Sequence, residues 1–363
     1  MSATDDLRAA GVAIWLDDLS RDDLVSRRLA DLVATHGVTG VTTNPTIFAT
    51  ALADHPDAYA PQLAAGRAAS RSACETALGL VADDVRAACD VLAPVHDASG
   101  GADGFVSIEV TPDAAHDADA TLAEVRELRA LVDRPNVLVK IPSTDAGVRA
   151  LEEATAEGFS INMTLLFGLA RYREVMAAHR RGLDRAREAG IPLAGIRSVA
   201  SFFVSRVDVE VDRRLAEASG GRAHPLRGRA AVANARLAYA EFEASLEDAP
   251  WQALAAAGAH PQRPLWASLG VKDPGMRATR YVEDLVAPHV VETMPSKTLR
   301  AVEAEGRIPA DGVHPGLRDA RDVVDALAAA GVDLGDVAAT LERAGVAAFG
   351  ESWQRLLEAA EAA

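Results

Sequence analysis

Lysine is nearly absent from this sequence: three stand against thirty-four arginines in 363 residues. One of them, Lys140, closes an otherwise apolar run, N-V-L-V-K-I-P-S-T. Where almost every cation is a guanidinium, the remaining amines are candidates for chemistry that guanidinium cannot do. Lysine can lose its proton and attack a carbonyl, whereas arginine stays protonated in proteins. Desolvating an ammonium in a strand also disfavours its charged form. Lys140 is therefore a candidate Schiff-base nucleophile; the plainer alternative is a strand-end lysine turned to water.

Other shortages exclude whole classes. Positive charge is scarce: the net charge of −16 argues against nucleic acid or an anionic membrane as the main partner, because both need basic surface. An anionic small molecule held in a local pocket stays open. Cys74 and Cys89 are the only cysteines. On one helix they would lie about 22 Å apart, too far for a disulfide. The start M-S-A-T-D-D has no basic, apolar leader, and no apolar run reaches transmembrane length, so a cytoplasmic protein is expected. No G-x-G-x-x-G or G-x-x-x-x-G-K-[ST] follows any apolar run, and the nine histidines are scattered. No nucleotide cofactor and no metal is expected.

What is present is an alternation. Short apolar runs at 12–16, 38–43, 105–110, 136–141, 159–163, 196–201, 263–268 and 289–293 read as strands with helical stretches between them. Eight strands in one unbroken β/α series predict an α/β fold, a single closed (β/α)8 TIM barrel, in preference to an open Rossmann sheet. Ser20 or Asp22 is placed to cap a helix running to about His36, and Pro45 to open another. The long connections 44–103 and 202–262 have room for two or three helices each. One domain over 1–363 is expected, with 296–363 forming extra C-terminal helices around the barrel.

Strand periodicity then sorts the polar residues. Alternate residues of a barrel strand face the interior, and active sites lie at the strands' C-terminal ends. Ala13, Trp15 and Asp17 share a face opposite Val12, Ile14 and Leu16. Phe105, Ser107 and Glu109 oppose Val106, Ile108 and Val110, and Asn136, Leu138 and Lys140 oppose Val137, Val139 and Ile141. Ser160, Asn162 and Thr164 form a fourth such face, and Gly40, Thr42 and Asn44 a fifth. Asp17, Asn44, Glu109, Lys140, Asn162 and Thr164 are thereby predicted to converge in one mouth. Singly, Asp17 could cap the next helix and Asn44 could be an Asn-Pro turn. A one-residue bulge in the first strand would exchange Asp17 for Asp18.

At these residues the chain resembles the transaldolase family. The motifs W-L-D-D-L-S-R, G-V-T-T-N-P-T-I-F, V-S-I-E-V, V-L-V-K-I-P-S-T, G-F-S-I-N-M-T-L-L-F, S-F-F-V-S-R-V-D, L-W-A-S-L-G-V-K-D-P and V-E-T-M-P occur in the family's order, with spacing similar to its longer bacterial branch. The resemblance implies a Schiff-base enzyme of the pentose phosphate pathway. Such an enzyme moves a dihydroxyacetone unit from a ketose phosphate to an aldose phosphate, without metal or cofactor, as a monomer or homodimer. By the same resemblance Lys140 is the nucleophile and Asp17 the base at the C4 hydroxyl. Glu109, with a water held by Thr164, is the proton shuttle, and Asn44 and Asn162 hold the dihydroxyacetone hydroxyls. At the phosphate end it implies Arg206, Ser201 and Phe203 after the sixth strand, and Ser268 and Lys272 after the seventh. Lys272 and Leu269 depart from the residues expected in that loop. Lys297 reads as a surface or helix-start lysine. The nearest alternative is an aldolase of the same superfamily that releases free dihydroxyacetone; such enzymes resemble a shorter chain and tend to carry Tyr where Glu109 stands. A barrel without catalytic function is disfavoured by the intact Asp17, Glu109 and Lys140.

Overall fold

Apolar residues at alternate positions give most of these runs one face that must be covered. In the computed structural model, which describes residues 2–221 and 224–362, eight parallel strands meet that need by closing into a barrel in sequence order. The strands are β1 (Ala13–Leu16), β2 (Val38–Val41), β3 (Phe105–Glu109), β4 (Val137–Pro142), β5 (Ile161–Leu166), β6 (Ser198–Phe203), β7 (Gln262–Ala267) and β8 (Val291–Met294). Ile14, Val106, Ile108, Val139, Ile141 and Met163 face outward into the helix layer, each at most 1 % exposed. Ala13, Trp15, Phe105, Leu138, Val199, Leu265 and Val291 fill the barrel itself. The two periodic faces thus form two separate cores, as the alternation predicts. Gly40 lets the Trp15 indole lie across the barrel floor, since a Cβ there would come within 2.4 Å of the ring. Trp15 Nε1 donates to Asp103 at 2.8 Å and anchors the ring from below.

Several boundaries differ from those predicted, for local reasons. The stretch after Ser20 is two helices, Arg21–Val25 and Arg28–His36, not one, because Arg27 adopts φ +64° between them. Ser20 does cap the first, accepting from Asp23 N–H. β5 starts at Ile161, two residues later than expected, because Phe159 N–H closes back on Ala154 O at the preceding helix end. β6 starts at Ser198, since Leu193–Gly195 forms a 3-10 turn. Among the described residues each long connection holds three helices: Pro45–Asp54, Pro56–Ala68 and Ala73–Ala98 in the first, and Ser205–Ala218, Ala230–Glu247 and Ala249–Ala256 in the second. Cys74 and Cys89 both lie on Ala73–Ala98 and are free thiols. Beyond β8 come Ser296–Glu305, Leu317–Ala329 and the long helix Leu334–Ala362. That last helix does more than wrap the barrel. It is tied to the Ser205–Ala218 helix by Arg214–Asp336 and to the Pro45–Asp54 helix by Thr46–Ser352, and so crosses the barrel mouth. Among the described residues no helix is long and apolar enough to cross a membrane.

Candidate active site

The strands' C-terminal ends open into a cavity of about 830 Å³. Lys140 lies at its base, 6 % exposed. Its Nζ donates to Thr43 O at 3.0 Å and to Glu109 Oε2 at 3.3 Å. β3 and β4 place the pair side by side, because Glu109 and Lys140 are directly registered neighbours. Burial pushes the Glu109 carboxyl above its usual range, against the pull of the Lys140 ammonium, and Asp17 adds to the rise.

Asp17 leaves β1 in phase with Ala13 and Trp15, its N–H still donating to Met294 O. Its carboxylate accepts from Thr42 Oγ1 at 3.1 Å. Desolvation raises its pKa to about 6, opposed by Lys140 and by the Thr42 hydrogen bond. The register does slip by one residue between β1 and β2, but the extra residue, Thr39, belongs to β2. Asp17 therefore keeps its phase. Asp18, also on the cavity wall, accepts from Ser296 N–H and so caps the helix after β8, whose own N-cap, Pro295, offers no side-chain acceptor.

The remaining candidates divide. Asn44 caps the Pro45–Asp54 helix, its Oδ1 accepting from Ile47 N–H at 3.2 Å. Its NH2 is thus the group available to a ligand. Thr164 Oγ1 lies on the cavity wall, buried and without a hydrogen-bond partner among the described residues. An unsatisfied buried hydroxyl calls for a water or a substrate oxygen. Ser201 Oγ donates to Asn162 Oδ1 at 2.7 Å, and Asn162 Nδ2 donates to Ser107 Oγ at 3.0 Å. Asn162 itself, wholly buried, does not line the cavity; it is the middle of this three-residue chain. Arg206 and Phe203 share the opposite wall, with the guanidinium carbon 5.0 Å from the ring centroid. Partial desolvation lowers the Arg206 pKa, while Asp17 counteracts it. Ser268 also faces the cavity, at φ +59°, with its Oγ 2.9 Å from Ser205 Oγ. Lys272 is not brought to this wall: it is exposed, with Nζ lying over Gly270 outside the cavity lining. Lys297 is exposed at the start of the Ser296–Glu305 helix.

Sequence reasoning missed part of the wall. Thr42, placed on the inward face but not singled out, and Thr293, open to the same parity test, lie 2.7 Å apart at their hydroxyls. Leu165, Gly345, Phe349, Ser352 and Arg355 also line the cavity, and no local pattern marks them. A buried amine beside a carboxylate, a second carboxylate near neutrality and an isolated guanidinium are together suited to imine chemistry on an anionic carbonyl substrate.

Known proteins match this sequence over nearly its whole length. The sequence profile of the Transaldolase/Fructose-6-phosphate aldolase family matches residues 14–360. The chain belongs to this family. A transaldolase from Thermobifida fusca is 53 % identical over 352 residues, covering 97 % of this chain and 95 % of that protein. A transaldolase from Frankia alni is 51 % identical over 352 residues, covering 97 % and 95 %. Transaldolase 1 of Streptomyces avermitilis is 52 % identical over 349 residues, covering 96 % and 92 %.

Proposed function

We propose that this chain is a transaldolase of the non-oxidative pentose phosphate pathway. It transfers a dihydroxyacetone unit from sedoheptulose 7-phosphate or fructose 6-phosphate to glyceraldehyde 3-phosphate or erythrose 4-phosphate. The observation that carries this reading is the Lys140 amine, buried against Glu109 in a cavity that also holds Asp17 and Arg206. The transaldolase names of relatives 51–53 % identical favour transfer over release of free dihydroxyacetone. The setting is the cytoplasm, and the active form a monomer or homodimer.

Lys140 Nζ adds to the ketose C2 carbonyl, and the carbinolamine loses its oxygen as water to give the iminium. Glu109 carries the protons of these steps through a water bound at the unpartnered Thr164 hydroxyl. Asp17 then takes the C4 hydroxyl proton as the C3–C4 bond breaks, and the bonding electrons pass into the iminium to form an enamine. Its pKa of about 6 suits a group that accepts and returns one proton near neutrality. Asn44 offers its NH2 to the dihydroxyacetone hydroxyls. Asn162, buried behind the wall, holds the Ser201 hydroxyl through its Oδ1 and is itself held by Ser107. Arg206, with Ser201, Phe203 and Ser268, receives the phosphate end.

The test is covalent. After incubation with fructose 6-phosphate and borohydride reduction, Lys140 is expected to carry a reduced adduct. Lys140→Arg is expected to abolish adduct and turnover, because guanidinium forms no imine. Labelling at Lys272 or Lys297 with Lys140 unmodified would overturn the assignment. Donor consumed alone as fast as donor plus acceptor, with free dihydroxyacetone released, would favour the aldolase reading.

A further inference from the structure

Strand β5 breaks its alternation where it meets the cavity. Met163 pairs with Ala200 and Leu166 with Phe202, so Thr164 and Leu165 both stand opposite the single Ser201. This is a β-bulge. Through it Thr164 and Leu165 both reach the cavity wall, where an unbroken pleat would turn the second outward. The bulge requires Leu165 to take φ +61°, a left-handed conformation that side chains larger than glycine rarely adopt.

Two contacts hold Leu165 there. Ser143 bonds both carbonyls flanking the bend: its N–H donates to Thr164 O at 2.8 Å, and its Oγ to Leu165 O at 3.0 Å. On the other side lies Gly345 of the C-terminal helix, where a Cβ would come within 3.0 Å of Leu165 Cδ2. A glycine within a 29-residue helix lowers helix stability relative to alanine. Its place here follows from space, since the Leu165 side chain occupies the volume a Cβ would need.

We propose that Leu165, held between Ser143 and Gly345, is a positioning residue for the Thr164 hydroxyl, so that the C-terminal helix acts on the imine-forming steps through its contact with Leu165. The inference rests on the reading of Thr164 as the residue that holds the shuttling water. Thr164 Oγ1 has no hydrogen bond among the described residues to orient it. Its direction is set by the backbone of the bulge, and displacement of Leu165 is transmitted to it through one peptide.

Gly345→Ala and Gly345→Val test this by intruding on Leu165 in graded steps. The readouts are the time course of borohydride-trapped adduct formation and the melting temperature. A displacement of about 1 Å near reacting groups costs on the order of 100-fold in rate, so tenths of an ångström predict a loss of several-fold in the alanine variant and about tenfold or more in the valine variant. The alanine variant is expected to melt at or above the wild-type temperature, a split that a merely structural role would not produce. Leu165→Ala alone, which removes the side chain held against the C-terminal helix, is expected to slow the same step, and adduct formation at the wild-type rate in that folded variant would equally overturn the positioning role. Thr164→Val is the reference and should slow the same step. If it does so while folded Gly345 variants form adduct at the wild-type rate, the positioning role is overturned and the Thr164 role stands. If Thr164→Val leaves adduct formation unchanged, the Thr164 reading fails, and this inference with it.

Discussion

Glu109 and Glu292 are both buried glutamates carried on barrel strands, and they differ in what faces them. Glu109 ends β3 on the interior face, its side chain 7 % exposed and 3.3 Å from the Lys140 ammonium. Glu292 lies between Val291 and Thr293, which face the interior, so it points the other way, into the helix layer. It is wholly buried, and neither carboxylate oxygen has a hydrogen-bond partner among the described residues. Burial raises both pKa values, but only Glu109 has a cation pulling back, and Glu292 is driven well above the usual carboxylate range. Depth alone makes a carboxyl neutral and inert; depth with a partner makes one that can exchange protons.

The sharpest way to break this comparison is to neutralise the carboxylates at the mouth one at a time. Glu109→Gln is expected to slow imine formation and hydrolysis by about 10²–10⁴, leaving little adduct of any size. Asp17→Asn is expected to lose cleavage by a similar factor yet still form the imine, so that the whole six-carbon ketose is trapped on Lys140 and identified by mass. Intact cleavage in Asp17→Asn with its loss in Asp18→Asn would move the base to the neighbouring residue.

A milder contrast divides the cations. Arg206 lies on the cavity wall and Lys272 outside it. Arg206→Ala is expected to raise KM for phosphorylated sugars about tenfold to a hundredfold over unphosphorylated analogues, the cost of one charge-assisted contact. Lys272→Ala is expected to produce a smaller change in the same ratio. Equal losses on both sugar types would show a role in folding or chemistry instead.

The smallest effect concerns stability. A folded-state carboxyl with a raised pKa keeps its proton after the unfolded chain has released it. Glu292 therefore makes the fold less stable as pH rises from the ordinary glutamate range toward its raised folded value. The expected slope is about 1.4 kcal/mol per pH unit across that window. Glu292→Gln is expected to remove this component and to stabilise the protein at neutral pH in denaturant titrations. An unchanged pH profile in that variant would mean that Glu292 has a partner in solution.

Much of the site was legible because a strand has one period. Asp17, Glu109 and Lys140 share the phase of Trp15, Ser107 and Leu138, and closing the barrel turns that phase inward. The same rule was too coarse at Thr164, where a bulge brings Leu165 onto the wall as well. It placed Asn162 on the correct face but not its depth, which depends on Ser107 and Ser201 from neighbouring strands. Lys272 follows β7 as expected, yet nothing local determines where a loop side chain points.

The residue order alone determined the two-faced strands, their number and the set of ionisable groups carried toward the mouth, because side-chain alternation is a property of each strand by itself. Only the tertiary structure decided which of those groups meet. Lys140 reaches Glu109 through the β3–β4 register, and Asp18 is drawn to the helix after β8. Gly345, 180 residues beyond Leu165 in the chain, closes over it because the C-terminal helix spans the barrel mouth. Such contacts depend on how separate elements pack in space, which no local periodicity encodes.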